Sequence, residues 1–84
     1  MSDGDTPPDA AEIGVRERLG EEAYDRMYDA RGRDAKDFCD DACSHLFAAA
    51  KIAEALGLEA EAARLNARRV HIRAVYNSQF RSLF

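Results

Sequence analysis

Two cysteines on one predicted helix are the residues of this chain best suited to chemistry. Cys39 and Cys43 lie four residues apart, with Asp40, Asp41 and His45 beside them. A zinc site needs three or four thiolate or imidazole ligands that converge on one point. At 3.6 residues per turn the cysteines share a helix face, but His45 points roughly 160° away from it. The sequence therefore predicts two small buried core residues, with no metal and no cofactor. A metal site and an intermolecular disulfide remain as alternatives.

Other candidates for catalysis are aspartates and histidines without a suitable setting. General acid–base work needs carboxylates in a cleft that perturbs them. The start of the second predicted helix instead carries aspartates that fit its first turn and its solvated outer face: Asp34, Asp37, Asp40 and Asp41. His45 and His71 have no serine, cysteine or carboxylate at a spacing that suggests a triad, and the chain contains no glycine-rich phosphate loop or nucleophile elbow. We therefore predict no catalytic residue and a protein that is not an enzyme.

Charge is divided unevenly along the chain. Residues 1–61 carry all sixteen acids and seven bases, which gives 7 − 16 = −9, and the whole chain has a net charge of −4. Residues 62–84 carry no acid and five bases, for a charge of +5: Arg64, Arg68, Arg69, Arg73 and Arg81. Such a split indicates that the two parts pair with each other or that one meets an oppositely charged partner. Internal pairing is the first expectation, with an acidic protein or nucleic acid as alternatives.

Large apolar side chains outside the predicted core suggest a binding surface. Phe47 points away from the apolar face of its helix, and the chain ends with further apolar residues beside Arg81. Aromatic residues next to arginine are typical of interface hot spots. The predicted partner-binding residues are Phe47, Arg64, Arg68, Arg69, Phe80, Arg81, Leu83 and Phe84. The alternative is that the first helix covers Phe47 and that the C-terminal residues fold back onto the bundle.

These side chains must be positioned by helices, because apolar residues recur every three or four positions along most of the chain. Residues 1–5 are acidic and polar, and we expect them to be disordered. A first helix is expected from the capping sequence at residues 6–9 to about Arg31. Gly20 interrupts it and favours a kink or two short helices.

The next two helices are predicted at 34–56 and 58–82. Asp34 is expected to cap the first of them, and Gly57 is expected to adopt the left-handed backbone conformation between them. Their apolar seams alternate steps of four and three: Ala35, Cys39, Ala42, Leu46, Ala49, Ala53 and Leu56, then Leu58, Ala62, Leu65, Arg69, Ile72, Tyr76, Gln79 and Leu83. Two matched heptad helices joined by a short turn predict an antiparallel hairpin. Arg69 occupies a seam position, where a charge typically sets register or oligomeric state. The alternative is that the aliphatic part of the Arg69 side chain lies along the seam and its guanidinium reaches water.

The third predicted helix also carries a second apolar stripe, roughly 140° around from its seam. The stripe consists of Ala63, Ala67, Val70 and Ala74. A helix that is apolar on two sides needs two neighbours. The first helix covers the stripe in a three-helix bundle, or a second copy of the chain covers it in a dimer.

The sequence as a whole predicts an all-α fold. We expect residues 6–84 to form one small antiparallel helical bundle, built on a long heptad-patterned hairpin with a shorter or kinked N-terminal helix. The predicted function is that of a non-catalytic protein–protein interaction module, either a homodimer or an accessory subunit or regulator that binds another protein. The alternative is a nucleic-acid-binding regulator that uses the arginine-rich third helix. The chain has no run of about 18 apolar residues and no signal-peptide pattern at its start, which predicts a cytoplasmic protein without a membrane partner.

Overall fold

The computed structural model describes residues 10–79, which form three helices and no strand. They are α1 (Ala10–Asp29), α2 (Arg33–Ala55) and α3 (Glu59–Gln79). The prediction of an all-α helical bundle is confirmed. The expected disorder at residues 1–5, the start of the first helix at 6–9 and the last residues of the third helix at 80–82 lie outside the described residues.

α1 is one uninterrupted helix that runs through Gly20, so the predicted division into two short helices is wrong. Gly20 has a packing role instead. A Cβ atom at this position would lie 3.0 Å from Cγ of Leu46 and 3.2 Å from the backbone oxygen of Ala42. The missing side chain therefore lets α1 approach α2 closely, which offsets the weak helix propensity of glycine.

Two glycines with positive φ form the turns between the helices. Gly32 (φ 57°) is the N-cap of α2, and no side chain makes a capping hydrogen bond there. The predicted capping role of Asp34 is wrong, because this residue lies inside the first turn. At the other end Gly57 has φ 77°, its N–H donates to the oxygen of Glu54, and the N–H of Leu58 donates to the oxygen of Ala53. This pair of bonds is the Schellman ending of a helix, as the sequence predicted.

The core is centred on α2, against which α1 and α3 both pack. α2 supplies nine of the 17 buried apolar residues of the described chain, and most are small: Ala35, Cys39, Ala42, Cys43, Leu46, Ala49, Ala50, Ile52 and Ala53. Their size allows α1 and α3 to lie close to α2. The larger buried side chains include Met27 from α1 and Leu65 and Ile72 from α3, and these belong to the same core cluster as Leu46. At the turn Leu56 and Leu58 are each 41% exposed, so neither predicted seam reaches the turn as a buried position.

No helix within residues 10–79 is long and apolar enough to cross a membrane.

Candidate interaction surface

Arg64 joins α3 to α1. Its Nη1 lies 2.7 Å from Oε2 of Glu17 and its Nη2 lies 3.0 Å from Oε1, while its Nε donates to Glu61 at 2.6 Å. The hydrogen bonds from the guanidinium lower the pKa of both carboxyls and raise the pKa of Arg64. A planar guanidinium that contacts both oxygens of a carboxylate is well oriented. The Arg64 side chain therefore makes an intramolecular ion pair between α3 and α1.

Arg68 makes the same kind of contact one helical turn later. Its Nε and Nη2 each lie 2.8 Å from an oxygen of Glu21. The guanidinium also lies over the ring of Tyr24, 5.0 Å from its centre. The Tyr24 and Tyr28 hydroxyls are 3.0 Å apart, and burial together with this bond raises the pKa of Tyr24 to about 12. α1 and α3 are thus connected by two ion pairs in successive turns.

Arg73 pairs with α2. Its Nη1 lies 2.9 Å from Oδ1 of Asp40, whose Oδ2 accepts a hydrogen bond from Lys36 at 2.9 Å. The hydrogen bonds from Lys36 and Arg73 lower the pKa of Asp40. The predicted pairing of the basic segment with the acidic one is therefore confirmed for three arginines of α3.

Arg69 differs from these three arginines. It is half-buried, and no carboxylate in residues 10–79 lies within ion-pair distance of it. Its Nε is buried and has no hydrogen-bond partner among the described residues, while its Nη2 donates to Oδ1 of Asn66 at 3.3 Å. The guanidinium carbon lies 5.4 Å from the ring centre of Phe47.

Phe47 is 46% exposed on the surface between α2 and α3. The ammonium nitrogen of Lys51 lies 5.3 Å from the centre of its ring, which leaves Phe47 in contact with two cations. The alternative in which the first helix covers Phe47 is wrong. The other predicted binding residues, Phe80, Arg81, Leu83 and Phe84, lie outside the described residues and stay predictions.

The apolar stripe of α3 faces solvent. Ala63, Ala67, Val70 and Ala74 are all exposed, and Val70 retains 63% of its accessible surface. α1 packs on α2 rather than on this stripe, so coverage by the first helix is wrong as well. We call these four residues the outer face of α3.

A groove of about 300 Å³ lies between the outer face and α2. It is lined by Cys43, Arg69, Val70, Arg73, Ala74 and Asn77. It therefore combines an apolar wall with polar and basic groups. Sequence reasoning missed this groove, because its walls come from two helices whose relative positions the sequence does not specify.

Both cysteines are buried in the core, as predicted, and they are not bonded to each other. Cys39 is fully buried, and burial raises the pKa of its thiol to about 11. Cys43 is 7% exposed, and its sulfur lies 3.8 Å from the backbone oxygen of Arg69. Within residues 10–79 no group of three histidine, cysteine, aspartate or glutamate side chains is arranged to hold a metal ion.

The two ion pairs between α1 and α3 could have been predicted from the spacing of charged residues in the sequence. Glu17 and Glu21 are four residues apart, and so are Arg64 and Arg68. Both pairs have a sequence separation of 47 residues. Equal spacing of opposite charges on two helices is the pattern that two parallel helices need in order to pair in consecutive turns.

Comparison with known proteins returned no match: no family model fits the sequence, and neither the curated proteins nor the solved structures contain a similar chain.

Proposed function

We propose that this protein is a non-catalytic protein–protein interaction module that binds another helix through the outer face of α3. The observation that carries the proposal is the contrast between the two sides of α3. Arg64 and Arg68 turn toward α1, and Arg73 turns toward α2. Between them, a stripe of three alanines and one valine remains exposed to solvent, flanked by His71 and Asn77.

The outer side of α1 shows what a solvated helix in this protein looks like. One stripe of its exposed surface is charged, formed by Arg18, Glu22, Asp25 and Asp29, although Val15 and Leu19 of α1 are also exposed. An amphipathic helix normally directs such residues to water and its apolar residues to a neighbour. The outer face of α3 reverses that rule, and exposed apolar patches of this kind typically mark interaction sites.

The partner is either a second copy of the chain, which makes a homodimer, or another protein to which this chain is an accessory subunit or regulator. Small side chains permit close approach of two helices, but three alanines and a valine bury little area. Stable interfaces bury about 800 Å² on each partner. A contact through the outer face alone is therefore expected to be weak and dependent on concentration.

We further propose that α2 and α3 pack along a heptad seam in the cytoplasmic protein. The support is that buried residues of α2 recur at steps of three and four and that those of α3 do so on either side of half-buried Arg69. In addition, Asp40 contacts Arg73 while Cys43 contacts Arg69. Contacts that run in opposite chain directions are those of an antiparallel hairpin. Such a hairpin would hold the outer face rigid.

Nucleic-acid binding through α3 is the weaker alternative. Phosphate contacts would have to replace the ion pairs of Arg64, Arg68 and Arg73 with carboxylates. Binding of that kind falls steeply as salt rises, whereas a contact between alanine-rich helices responds little. Measuring any association at low and high salt distinguishes the two functions.

Replacing Val70 tests the proposed surface directly. Val70→Glu places a charge in the centre of the outer face and should abolish self-association, measured as a loss of dimer mass in light scattering over a range of concentrations. If the partner is another protein, the same change should remove that protein from material isolated with this chain from its native cells. Val15→Glu is the matched control, because Val15 is 44% exposed on α1. The proposal fails if Val70→Glu and Val15→Glu have the same mass and recover the same proteins as the unmodified chain.

A further inference from the structure

Arg69 is a half-buried cation without a counter-ion among residues 10–79. The other half-buried arginines of the described chain each have one: Arg16 lies 3.7 Å from Glu12 and Arg68 lies 2.8 Å from Glu21. Arginines of residues 10–79 without an ion pair, such as Arg18, are exposed to solvent. Removing a guanidinium group from water without compensation is unfavourable. Arg69 is thus the half-buried arginine of the described chain that lacks a carboxylate there, and its buried Nε lacks a hydrogen-bond partner.

The surroundings of Arg69 provide the rest of a binding surface. Phe47 is half-exposed against one side of the guanidinium, and the groove of about 300 Å³ begins at Arg69 and continues past Val70 and Ala74 to Asn77. A carboxylate would compensate the guanidinium with charge-assisted hydrogen bonds. An apolar side chain next to that carboxylate would fill the groove. We call Phe47, Arg69 and the residues that line the groove the Arg69 surface.

We propose that the Arg69 surface docks an acidic, apolar segment of a partner protein, with one carboxylate on Arg69 and one apolar side chain in the groove. The proposal rests on the proposed function and specifies the chemistry of the partner. A desolvated arginine beside an exposed aromatic ring is the usual composition of an interface hot spot.

A second copy of α3 meets this requirement poorly. The acids of α3 are Glu59 and Glu61 in its first turn, at least eight residues before Arg69, so two copies that pack in parallel through their outer faces bring no carboxylate from α3 to Arg69. We therefore expect a partner segment of different sequence.

The nitrogen–proton resonance of the Arg69 Nε group provides a direct measurement, because a buried Nε–H exchanges slowly with water. The probe is a capped amphipathic peptide of leucine and glutamate, titrated into the full chain labelled with ¹⁵N. The matched probe has glutamine in place of glutamate. The Arg69 resonance is identified by its loss in Arg69→Gln. We expect the glutamate peptide at millimolar concentration to shift this resonance, and the glutamine peptide to bind at least about tenfold more weakly.

Variants locate the binding on the protein. Arg69→Gln should weaken the glutamate peptide at least about tenfold, and Phe47→Ala should weaken it several-fold. Arg18→Gln removes the same charge from the exposed side of α1 and should leave the affinity unchanged. The proposal is overturned if Arg18→Gln weakens the peptide as much as Arg69→Gln does, if both peptides bind equally, or if the glutamate peptide leaves the Arg69 resonance in place.

Two other possible occupants of the Arg69 surface can be detected from the Arg69 resonance without adding a peptide. If the resonance moves when the protein is diluted, a second copy occupies the surface. If it moves when Asp3, Asp5 and Asp9 are replaced by asparagine, the N-terminal acids of the chain itself occupy it. Either result overturns the proposal. Val70 belongs to the outer face and also lines the groove, so Val70→Glu tests both surfaces, whereas Arg69→Gln and the paired peptides test the Arg69 surface alone. Failure of the outer face as an interface and failure of the Arg69 surface are therefore distinguishable.

Discussion

The four arginines of α3 have different roles although they lie within about ten residues, roughly 15 Å, of one helix. Arg64 and Arg68 hold α1, and Arg73 holds Asp40 on α2. Their side chains are 36% to 50% exposed, so each pair is expected to contribute only about 0.2–1 kcal/mol. Arg69 has the opposite balance, since its burial is not offset by any carboxylate of the described chain.

Arg69→Leu should raise the free energy of unfolding by about 1–2 kcal/mol. The change removes a buried nitrogen donor without a partner, which is an unfavourable arrangement, and places an apolar residue in the seam. Denaturant unfolding measures the effect, and light scattering shows whether the variant forms altered oligomers. Arg73→Leu is the control: it loses an exposed ion pair, and its stability should fall by at most about 1 kcal/mol. A fall in stability for Arg69→Leu would mean that Arg69 has an acidic partner outside residues 10–79.

Buried Cys39 and Tyr24 should make the fold sensitive to alkaline pH. The pKa of Cys39 is raised from 9.0 to about 11 and that of Tyr24 from 10.0 to about 12, so the folded state favours the neutral forms. Their contribution is complete below pH 9 and is lost as pH rises toward 12. The melting temperature should therefore fall between these values. Tyr24→Phe should reduce the fall in melting temperature above pH 10. Tyr28→Phe breaks the same hydrogen bond from an exposed ring, and this variant should still show most of the fall in melting temperature.

At the scale of the elements, α2 determines how the helices pack. Its core residues are mostly alanine and cysteine, and Gly20 of α1 extends the small contact surface to the partner helix. Close backbone approach gives many favourable contacts but tolerates little added volume. The contact between α1 and α2 is therefore the part of the fold most sensitive to enlargement.

Replacing the two glycines of α1 separates packing from helix propensity. Gly20→Ala should destabilise the protein by about 1–3 kcal/mol, because the new methyl group would lie 3.0 Å from Cγ of Leu46 and would force α1 away from α2. Gly14→Ala has no atom within 4 Å of the new methyl group, so it should gain about 0.5–1 kcal/mol from propensity alone. Thermal unfolding of both variants is the measurement. Equal stabilisation by the two changes would show that α1 moves freely against α2.

At the scale of the whole molecule, α1 and α3 lie on a shared central helix and are connected by the ion pairs of Arg64 and Arg68. This arrangement leaves the outer face of α3 and the Arg69 surface open. The two surfaces adjoin at Val70 and Ala74, which belong to both. A partner that lies along α3 would contact both at once.

The ion pairs between α1 and α3 should respond to salt and acid. Combining Glu17→Gln with Glu21→Gln should lower the free energy of unfolding by about 0.5–2 kcal/mol at low salt, and the difference should shrink at high salt. Because Arg64 lowers the pKa of Glu17, the stabilisation from this pair is present above the ordinary value of 4.5 and is lost as pH falls below it. Glu54→Gln, which breaks a pair inside α2, should cost no more than about 0.5 kcal/mol. A double variant as stable as the unmodified chain at low salt would contradict a role for the ion pairs in holding α3 to α1.

The sequence by itself determined the features that depend on local rules. The three- and four-residue spacing of apolar side chains predicted the helices and the buried residues of α2, and Gly57 predicted the end of that helix. The charge division predicted internal pairing of the arginines. These predictions succeed because periodicity and turn geometry act over a few residues, within which the chain itself provides the context.

Only the tertiary structure decided what each helix face meets. Periodicity says that Ala63, Ala67, Val70 and Ala74 share a face, but not that α1 leaves this face open. In the same way, composition shows an excess of acids but does not show which arginines they pair with. Arg64 and Arg68 contact carboxylates, whereas Arg69 contacts none within residues 10–79. Gly20 looked like a helix breaker until the nearness of Leu46 showed its packing role. The physical reason is common to all three cases: the offset and rotation between helices result from the packing of the whole core, and these two quantities decide which side chains are close enough to interact.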